Sequence, residues 1–506
     1  MKYFLFTILL FLAQLRVSGQ QGYSKVYDFD RPGVTFLNIE MQEDTILVFG
    51  PIYHETIPNL QGLFFAQLDT LGNLFSYHTY FDSLGGDLAA RPHCTIHKLN
   101  NGLGYVIPAG SFTRSTGIIC FISNEGKFTK IVEHSDNSSQ TEIYNTLIET
   151  NNGFLLFGTK SRLDFLIDIF VMKTDKQGNK LWEKYYDSPG RQWYYGGYYR
   201  EGENSIILAI SDIDPQNTPM ALWKRKGILL AIDTLGTEQW RWESETSLLH
   251  AGLGTPVKRS DGNWMYSTAE IQIFPVSNFA SNNTKIVVRD PDFNLISERV
   301  FSPFYSEANS FVDIQPTADG NWLAIGAMTT PPLWTQPNAL AGWMYKFDDN
   351  LDSIWSREDT VFYNLQIYTD HWLHGAVQLS SGSIIAAGQI NEYYPSPGKS
   401  WGWLIKVSKD GCIDTLACSL SAINDLKTYR EVDVKVYPNP TGGLLFFDDV
   451  GLPWDKIEII NSQGRVLQTF FKPTGYELNL IGMPSGIYMI RFVRKDQSIS
   501  KRIFKE

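Results

Sequence analysis

Cysteine is scarce, with 4 in 506 residues. That is too few to frame a chain of this size by disulfides, so a hydrophobic interior must hold the fold. Beyond the first residues no apolar run reaches the length that a membrane-spanning helix needs. Basic residues are also outnumbered, 43 Lys and Arg against 54 Asp and Glu for a formal charge of −11, and no basic stripe precedes the C-terminal module. Nucleic-acid affinity rests on clustered Lys and Arg, so the composition argues against a nucleic-acid partner. Other linear catalytic signatures are missing as well: there is no phosphate-cradling glycine loop and no His-Glu-x-x-His zinc helix.

Aromatic residues, by contrast, are plentiful at 14% of the chain and are spread along it, which suits large flat side chains packing across pleated sheets. The stretch Val171 to Asp187 shows the pattern. An apolar β-branched run ends at Asp175, a tight turn closes on Gly178 and Asn179, and a second run carries Trp182, Tyr185 and Tyr186. This is a β-hairpin. Related turns begin at Leu68, Ser123, Asp175, Asp233, Asp290, Asp348 and Ser408, about 52 to 60 residues apart, the spacing of a tandem structural repeat.

A second punctuated strand precedes each hairpin, as in Asn152-Gly153 before Phe154 to Gly158, Asp319-Gly320 before Asn321 to Gly326 and Ser381-Gly382 before Ser383 to Gly388. One unit then reads as four antiparallel strands: Phe311 to Gln315, Trp322 to Ala327, Gly342 to Phe347 and Ser353 to Arg357. Four strands in a repeat of this length predict an all-β fold, a seven-bladed β-propeller over residues 20–418. After Gly411 the last repeat lacks a fourth strand, whereas Tyr23 to Phe29 resembles the fourth-strand segment Leu181 to Asp187. The N-terminus is therefore expected to complete the last blade and remove an open sheet edge.

The order Lys2, an apolar run from Tyr3 to Ala13, then Val17-Ser18-Gly19 predicts a secretory signal peptide over residues 1–19. Residues 419–431 read as a polar linker. Short strands from Val434 to Phe504, punctuated by Asn439-Pro440, Asn461 to Gly464 and Met483 to Gly486, predict a small immunoglobulin-like β-sandwich over 432–506.

The segments VYPNPTGG, KIEIINSQGRVL, ELNLIGMPSGIYMIRF and KRIFKE resemble the type A C-terminal sorting domain of the Bacteroidota type IX secretion system. On that resemblance Pro438, Asn439, Pro440, Gly464, Gly486, Tyr488 and Lys501 occupy motif positions. The expected partner is the type IX secretion machinery. Transit through the periplasm is implied, followed by release or by attachment to surface lipopolysaccharide once the domain is removed.

Sites are less legible. The Asp-x-x-Gly turns invite a calcium reading, but Asp capping its own turn accounts for them, Asp348 to Asp352 being the best metal exception. His93, Cys94 and His97, and likewise His371 and His374, have spacings too weak to imply a transition metal. No metal and no cofactor are expected. Cys412 and Cys418 are close enough in sequence to close a small loop, and Cys94 is a candidate partner for Cys120, with free buried thiols the alternative for that pair. In a propeller the links entering the inner strands share one face; here they carry Arg91, His93, Glu142, Trp193, Tyr195, His250, Asn309, Asp370 and His371. This mixture of rings, donors and carboxylates suits a glycan or peptide ligand. A ligand-binding surface protein is the resulting expectation. The alternatives are an extracellular hydrolase or lyase acting on polysaccharide or peptide, and a structural surface protein.

Overall fold

The computed structural model describes residues 22–57, 59–92, 94–111, 113–135, 142–161, 167–186, 191–199, 205–214, 224–244, 250–274, 279–301, 310–329, 340–361, 369–392, 398–413, 436–447, 454–461, 466–471, 477–494 and 497–506. The signal-peptide and linker segments lie outside them. The described residues form strands and turns, without a helix. The chain divides into two compact units, Met1–Cys418 and Ser419–Glu506.

In the first unit, antiparallel meanders follow one another along the chain, with Ile143 opposite Gly110 joining the second to the third and Leu340 beside Asp370 joining the sixth to the seventh. Sheet 1 runs Asn38–Gln42, Thr45–Tyr53, Gln61–Asp69 and Leu74–Tyr80. Sheet 2 has the short strands Leu88–Ala89 and His97–Lys98 beside Tyr105–Ser111, then Thr116–Ile122 and Phe128–His134. Sheet 3 comprises Glu142–Thr150, Gly153–Ser161, Ile167–Thr174 and Lys180–Tyr186. In sheet 4 the strands are Arg191–Tyr199, Ile206–Asp214, Lys224–Ile232 and Glu238–Glu243.

Sheet 5 places His250–Leu253 and Val257–Lys258 beside Trp264–Phe274, Phe279–Arg289 and Leu295–Phe301. Sheet 6 follows with Ser310–Pro316, Trp322–Thr329, Leu340–Phe347 and Ser353–Asp359. Sheet 7 has Thr369–Gln378, Ile384–Glu392 and Ser400–Val407, and its fourth strand is the N-terminal Tyr23–Tyr27, paired from Tyr23 opposite Lys406 to Tyr27 opposite Gly402. The expected exchange of the N-terminal strand is therefore present, and it is reinforced by Trp403 Nε1 donating to Ser24 Oγ at 2.9 Å and Tyr27 Oη donating to the Gly72 carbonyl at 2.6 Å.

Each sheet has two apolar faces because alternate residues of its inner strands point to opposite neighbours. Phe49 and Phe65 of sheet 1 bury against Ile107 and Ile118 of sheet 2, and Val106 and Ile119 of sheet 2 against Phe154 and Phe170 of sheet 3. The same holds for Phe157 with Leu208, Ala231 with Tyr266, Met265 with Trp343, and Met344 with Trp403. Ile385 and Leu404 of sheet 7 then pack with Val48 and Phe64 of sheet 1, so the last sheet meets the first.

The turns follow their sequence chemistry. Asp175 Oδ1 accepts from the backbone amides of Gln177 and Asn179 at 2.9 and 2.8 Å, and Oδ2 accepts from Asn179 Nδ2 at 2.8 Å. Gly178 closes the turn at φ +85°, where a Cβ would be strained. Asp69 and Asp290 repeat all three side-chain bonds, and Asp233 and Asp348 repeat the two backbone ones. At Asp348 the carboxylate thus caps its own turn. The hydrogen bond from the Asn179 side chain is the leading cause that holds the Asp175 carboxyl below its ordinary range.

One local reading is corrected. The second strands do not stop at glycine: Gly153–Ser161 and Ile384–Glu392 continue past Gly158 and Gly388. Each glycine faces a bulge in the inner strand, between Tyr144 and Thr146 or between Leu373 and Gly375. A Cβ on Gly158 would lie 2.2 Å from the Ile143 carbonyl oxygen, and one on Gly388 1.8 Å from that of Trp372. The residue marks a close backbone approach and not a strand end.

The second unit has two sheets, one of Val436–Tyr437, Leu444–Phe447 and Glu477–Asn479, the other of Val466–Phe471, Lys456–Asn461, Gly486–Arg494 and Gln497–Lys505. Leu445, Ile459, Leu478, Ile490 and Phe492 share its core. Asn439 ties the first turn to the last strand, its Nδ2 donating to the Arg502 carbonyl at 3.0 Å and its Oδ1 accepting from the Phe504 amide at 2.9 Å. Tyr488, buried, donates to the Pro484 carbonyl at 2.7 Å. Pro438 and Pro440 flank Asn439 in the same turn, Gly486 opens its strand at φ +155° and Lys501 pairs with Ile490, whereas Gly464 lies outside the described residues.

Candidate functional site

Among the described residues of the first unit, two cavities bring together side chains from several sheets. The inner strands of the sheets surround one of about 460 Å³, lined by Ile39, Thr95, Thr146, Gly197, Thr255, Asp313 and His374 among others. Inner strands of sheets 1, 3, 4, 6 and 7 supply its wall, with Thr95 and Thr255 from the links beside the inner strands of sheets 2 and 5. His374 is the extra residue of the sheet 7 bulge, which turns it towards this space. Loss of water pushes the Asp313 carboxyl up to about 6. Among the described residues no three His, Cys, Asp or Glu side chains are grouped so as to hold a metal ion.

The larger cavity, about 860 Å³, is a cleft at the far ends of the inner strands of sheets 2, 3 and 4. Glu149 stands at its centre, on the last turn-ward residues of its strand, and is nearly enclosed. His97 Nε2 lies 3.1 Å from Glu149 Oε2, the Asn100 amide donates to the same oxygen at 2.8 Å, and Lys176 pairs with Oε1. Burial alone raises the carboxyl's pKa, but Lys176, the Asn100 amide and His97 outweigh it and hold Glu149 below the usual range. The carboxylate is therefore an ionised tie between sheets 2 and 3.

Lys173 lies beside it. It is only 5% exposed and donates to Thr150 Oγ1. Burial, then the nearby charge of Lys176, lower its pKa to about 8. Trp182 faces Lys173 across the strand pair, and Tyr199 and Thr234 of sheet 4 complete the opposite wall. The cleft combines two rings, a buried amine and a lining of amide and hydroxyl groups. It can hold a polar ligand by ring contact and directed hydrogen bonds.

The residues expected to form a site at the starts of the inner strands are distributed differently. Arg91 is half-buried in the link before His97, and burial lowers its pKa. Glu142, Trp193 and His250 occupy the first residues of inner strands, opposite Lys160, Ser211 and Glu270. Tyr195 is the extra residue of the sheet 4 bulge. Asp370 and His371 are buried. His371 is 1% exposed, with Nδ1 at 3.0 Å from the Leu340 carbonyl, Nε2 accepting from the Val361 amide at 3.1 Å and its ring against Trp403. Burial lowers its pKa to about 4, so it is a neutral core histidine. His93 and Asn309 lie outside the described residues. Arg91, Asp370 and His371 line neither cavity.

The cysteine expectations divide. Cys94 and Cys120 are free thiols, each 0% exposed in the core between sheets 1 and 2, so the disulfide considered for them is replaced by its alternative. Two thiols inside an apolar core pack as small hydrophobic groups. Cys412 is disulfide-bonded, while Cys418 lies outside the described residues.

Comparison with known proteins separates the two units. Residues 435–506 match the family described as the Secretion system C-terminal sorting domain. No curated protein matches the chain. Among solved structures, the chain is similar to a PL25 ulvan lyase bound to a GlcA-Rha3S saccharide, at 10% identity over 79% of this chain and 99% of that one, with a TM-score of 0.48. A puromycin-hydrolysing peptidase of Mycobacterium tuberculosis is similar at 10% identity and a TM-score of 0.46, over 73% of this chain and 53% of that one. The β-propeller domain of the Trilobed protease from Pyrococcus furiosus is similar at 8% identity and a TM-score of 0.37, over 75% of this chain and 98% of that one.

Proposed function

We propose that this chain, which ends in a type IX secretion sorting domain and is thereby destined for secretion or the cell surface, is a seven-bladed β-propeller that binds an extracellular ligand. The sorting domain implies interaction with the type IX secretion machinery and a Bacteroidota source. The domain boundaries follow the same reading: a signal peptide at 1–19, the propeller at 20–418, a linker at 419–431 and an immunoglobulin-like sorting sandwich at 432–506. Passage through the periplasm, and either release or attachment to lipopolysaccharide after removal of the sandwich, complete it.

The blade count is supported by the unbroken succession of inter-sheet cores, ending where sheet 7 packs on sheet 1. Ligand binding is carried by one observation, the cleft of about 860 Å³ in which Lys173, Trp182 and Tyr199 line a common space. Extracellular recognition of a glycan or peptide is its best use, since rings give contact area while buried polar groups fix orientation.

A hydrolase or lyase acting on the same ligand class is the second reading. It is favoured by His97 beside Glu149 at 3.1 Å, a base with an orienting carboxylate at the cleft wall. The test incubates the purified protein with panels of polysaccharides and peptides and measures both binding and products. Saturable binding without products supports the binding reading. Turnover lost in His97→Ala replaces it with the enzymatic one, and neither binding nor turnover across the panels overturns both.

A further inference from the structure

Among the described residues, the cleft contains a cation with no carboxylate partner. Lys173 donates to Thr150 Oγ1, but among the described residues no carboxylate lies within ion-pair reach of it. Glu149, the nearest acidic group of the cleft wall, is already shared by Lys176, His97 and the Asn100 amide. Two lysines and one carboxylate leave this wall locally positive, in a chain of net charge −11. Keeping an ammonium 95% buried without a counter-ion is costly, and a ligand anion would offset that cost.

The surroundings narrow the anion's chemistry. Trp182, half-buried, is the cross-strand neighbour of Lys173, and Tyr199 lies across the cleft. Flat rings beside a cation suit a pyranose whose charged substituent reaches the ammonium while its C–H face meets the ring. The remaining wall carries the side-chain amides of Asn100 and Asn152. These short donors and acceptors match sugar hydroxyls. An acidic peptide would use Lys173 equally well, and Leu147, Ile148, Leu181 and Leu235 give the lining apolar patches, but a flat ring paired across the strands with the ammonium favours the stacked C–H face of a pyranose.

We propose that the cleft binds an acidic saccharide, with the carboxylate of a uronic acid on Lys173 and its ring against Trp182. The inference rests on the reading of the protein as a ligand binder and names the class of that ligand. Bound carboxylate favours protonated Lys173, so affinity holds at neutral pH and falls as pH rises past about 8, where the free-state amine loses its proton. Lys176, Glu149 and His97 are the other titratable groups facing Lys173 from the packed strands and turn.

The experiment is titration calorimetry of the purified protein with oligogalacturonate at pH 7 and pH 9. A neutral oligoglucan, a sulfated glycan and an acidic peptide serve as parallel ligands. Oligogalacturonate is expected to bind, at least tenfold tighter than the neutral glucan, and to weaken at least tenfold in Lys173→Gln and in Trp182→Ala. Circular dichroism of both variants confirms that they fold, and Lys173→Arg should restore part of the affinity. Equal binding of the neutral glucan would overturn the assignment of Lys173. Preference for the sulfated glycan or the acidic peptide would overturn the uronate class while leaving the cleft as a binding site. Absence of oligogalacturonate binding while another panel ligand binds would overturn this inference alone, whereas silence of every ligand would overturn the binding reading beneath it.

Discussion

Removing residues 20–27 deletes the fourth strand of sheet 7 and tests whether the chain ends clasp each other. Five residue pairs join Tyr23–Tyr27 to Ser400–Val407. Ser24 and Tyr27 supply hydrogen bonds to Trp403 and to the Gly72 carbonyl, and Tyr23 and Tyr27 pack against the core that joins sheets 7 and 1. Backbone and side-chain hydrogen bonds at about 1 kcal/mol each, with partial burial of three apolar side chains, contribute roughly 9 kcal/mol. Ordering five residues costs roughly 6 kcal/mol. The net is about 3 kcal/mol, and a unit of this size has an unfolding entropy near ~0.8 kcal/mol per kelvin, so the deletion should lower Tm by ~4 °C. Tyr27→Phe, which loses one hydrogen bond to a carbonyl, should lower it by ~1 °C. Differential scanning calorimetry reads both, with deletion of residues 434–506 as a control that leaves the larger transition in place, because the second unit has its own core. A deletion of residues 20–27 that unfolds at the unchanged temperature would refute the clasp.

Three further outcomes follow from the structure. Lys346 is 2% exposed and pairs with Asp319, which holds the Asp319 carboxyl well below its ordinary value against the opposing effect of burial. A depressed carboxyl stabilises the fold above its unfolded pKa of ~4 and loses that contribution as pH falls below it, so wild-type Tm should drop on acidification by more than that of Asp319→Asn. At pH 7 the substitution should cost ~1–2 kcal/mol, since Asp319 is half-exposed; equal acid sensitivity of the two proteins would contradict the pairing. Cys94 and Cys120 are buried thiols, the first with a pKa pushed up to about 12 by burial, so iodoacetamide should leave both unlabelled in the native protein and alkylate two sites after unfolding without reductant; mass spectrometry showing none would mean a disulfide. Truncation at Val434 should strand the remainder inside the producing cell's periplasm, and normal release of the truncated chain into the medium would remove the sorting role from residues 435–506.

How far the sequence carried these conclusions depended on the range of the interactions. The turn at Asp175 was legible because its bonds all fall within four residues. Closure by Tyr23–Tyr27 was legible too, since the segment repeats the outer-strand pattern found in Lys180–Tyr186 and the last repeat lacked that strand. Strand ends were misplaced at Gly158 and Gly388 because glycine usually signals a turn, whereas here it admits a bulged neighbour from another strand. The cleft was missed for the same reason on a larger scale. Lys173 and Trp182 sit within the hairpin pattern itself, where they read as ordinary strand residues, and Glu149, His97 and Tyr199 come from other strands. Only the packing of sheets 2, 3 and 4 brings them together. A buried lysine next to a hairpin turn was the available signal, but burial is not visible in one sequence. His371 erred the other way: its polar type suggested a surface, while its two backbone partners satisfy it inside the core.

The central claim is that the ligand occupies the cleft between sheets 2, 3 and 4. Hydrogen–deuterium exchange of the purified protein, with and without a ligand identified by the binding panel, tests it most directly. Slowed exchange concentrated in residues 146–152 and 173–182, with the rest unchanged, is the expected result. Protection confined to the starts of the inner strands, around Arg91, Glu142, Trp193 and Asp370, would contradict it and move the site to the opposite ends of those strands.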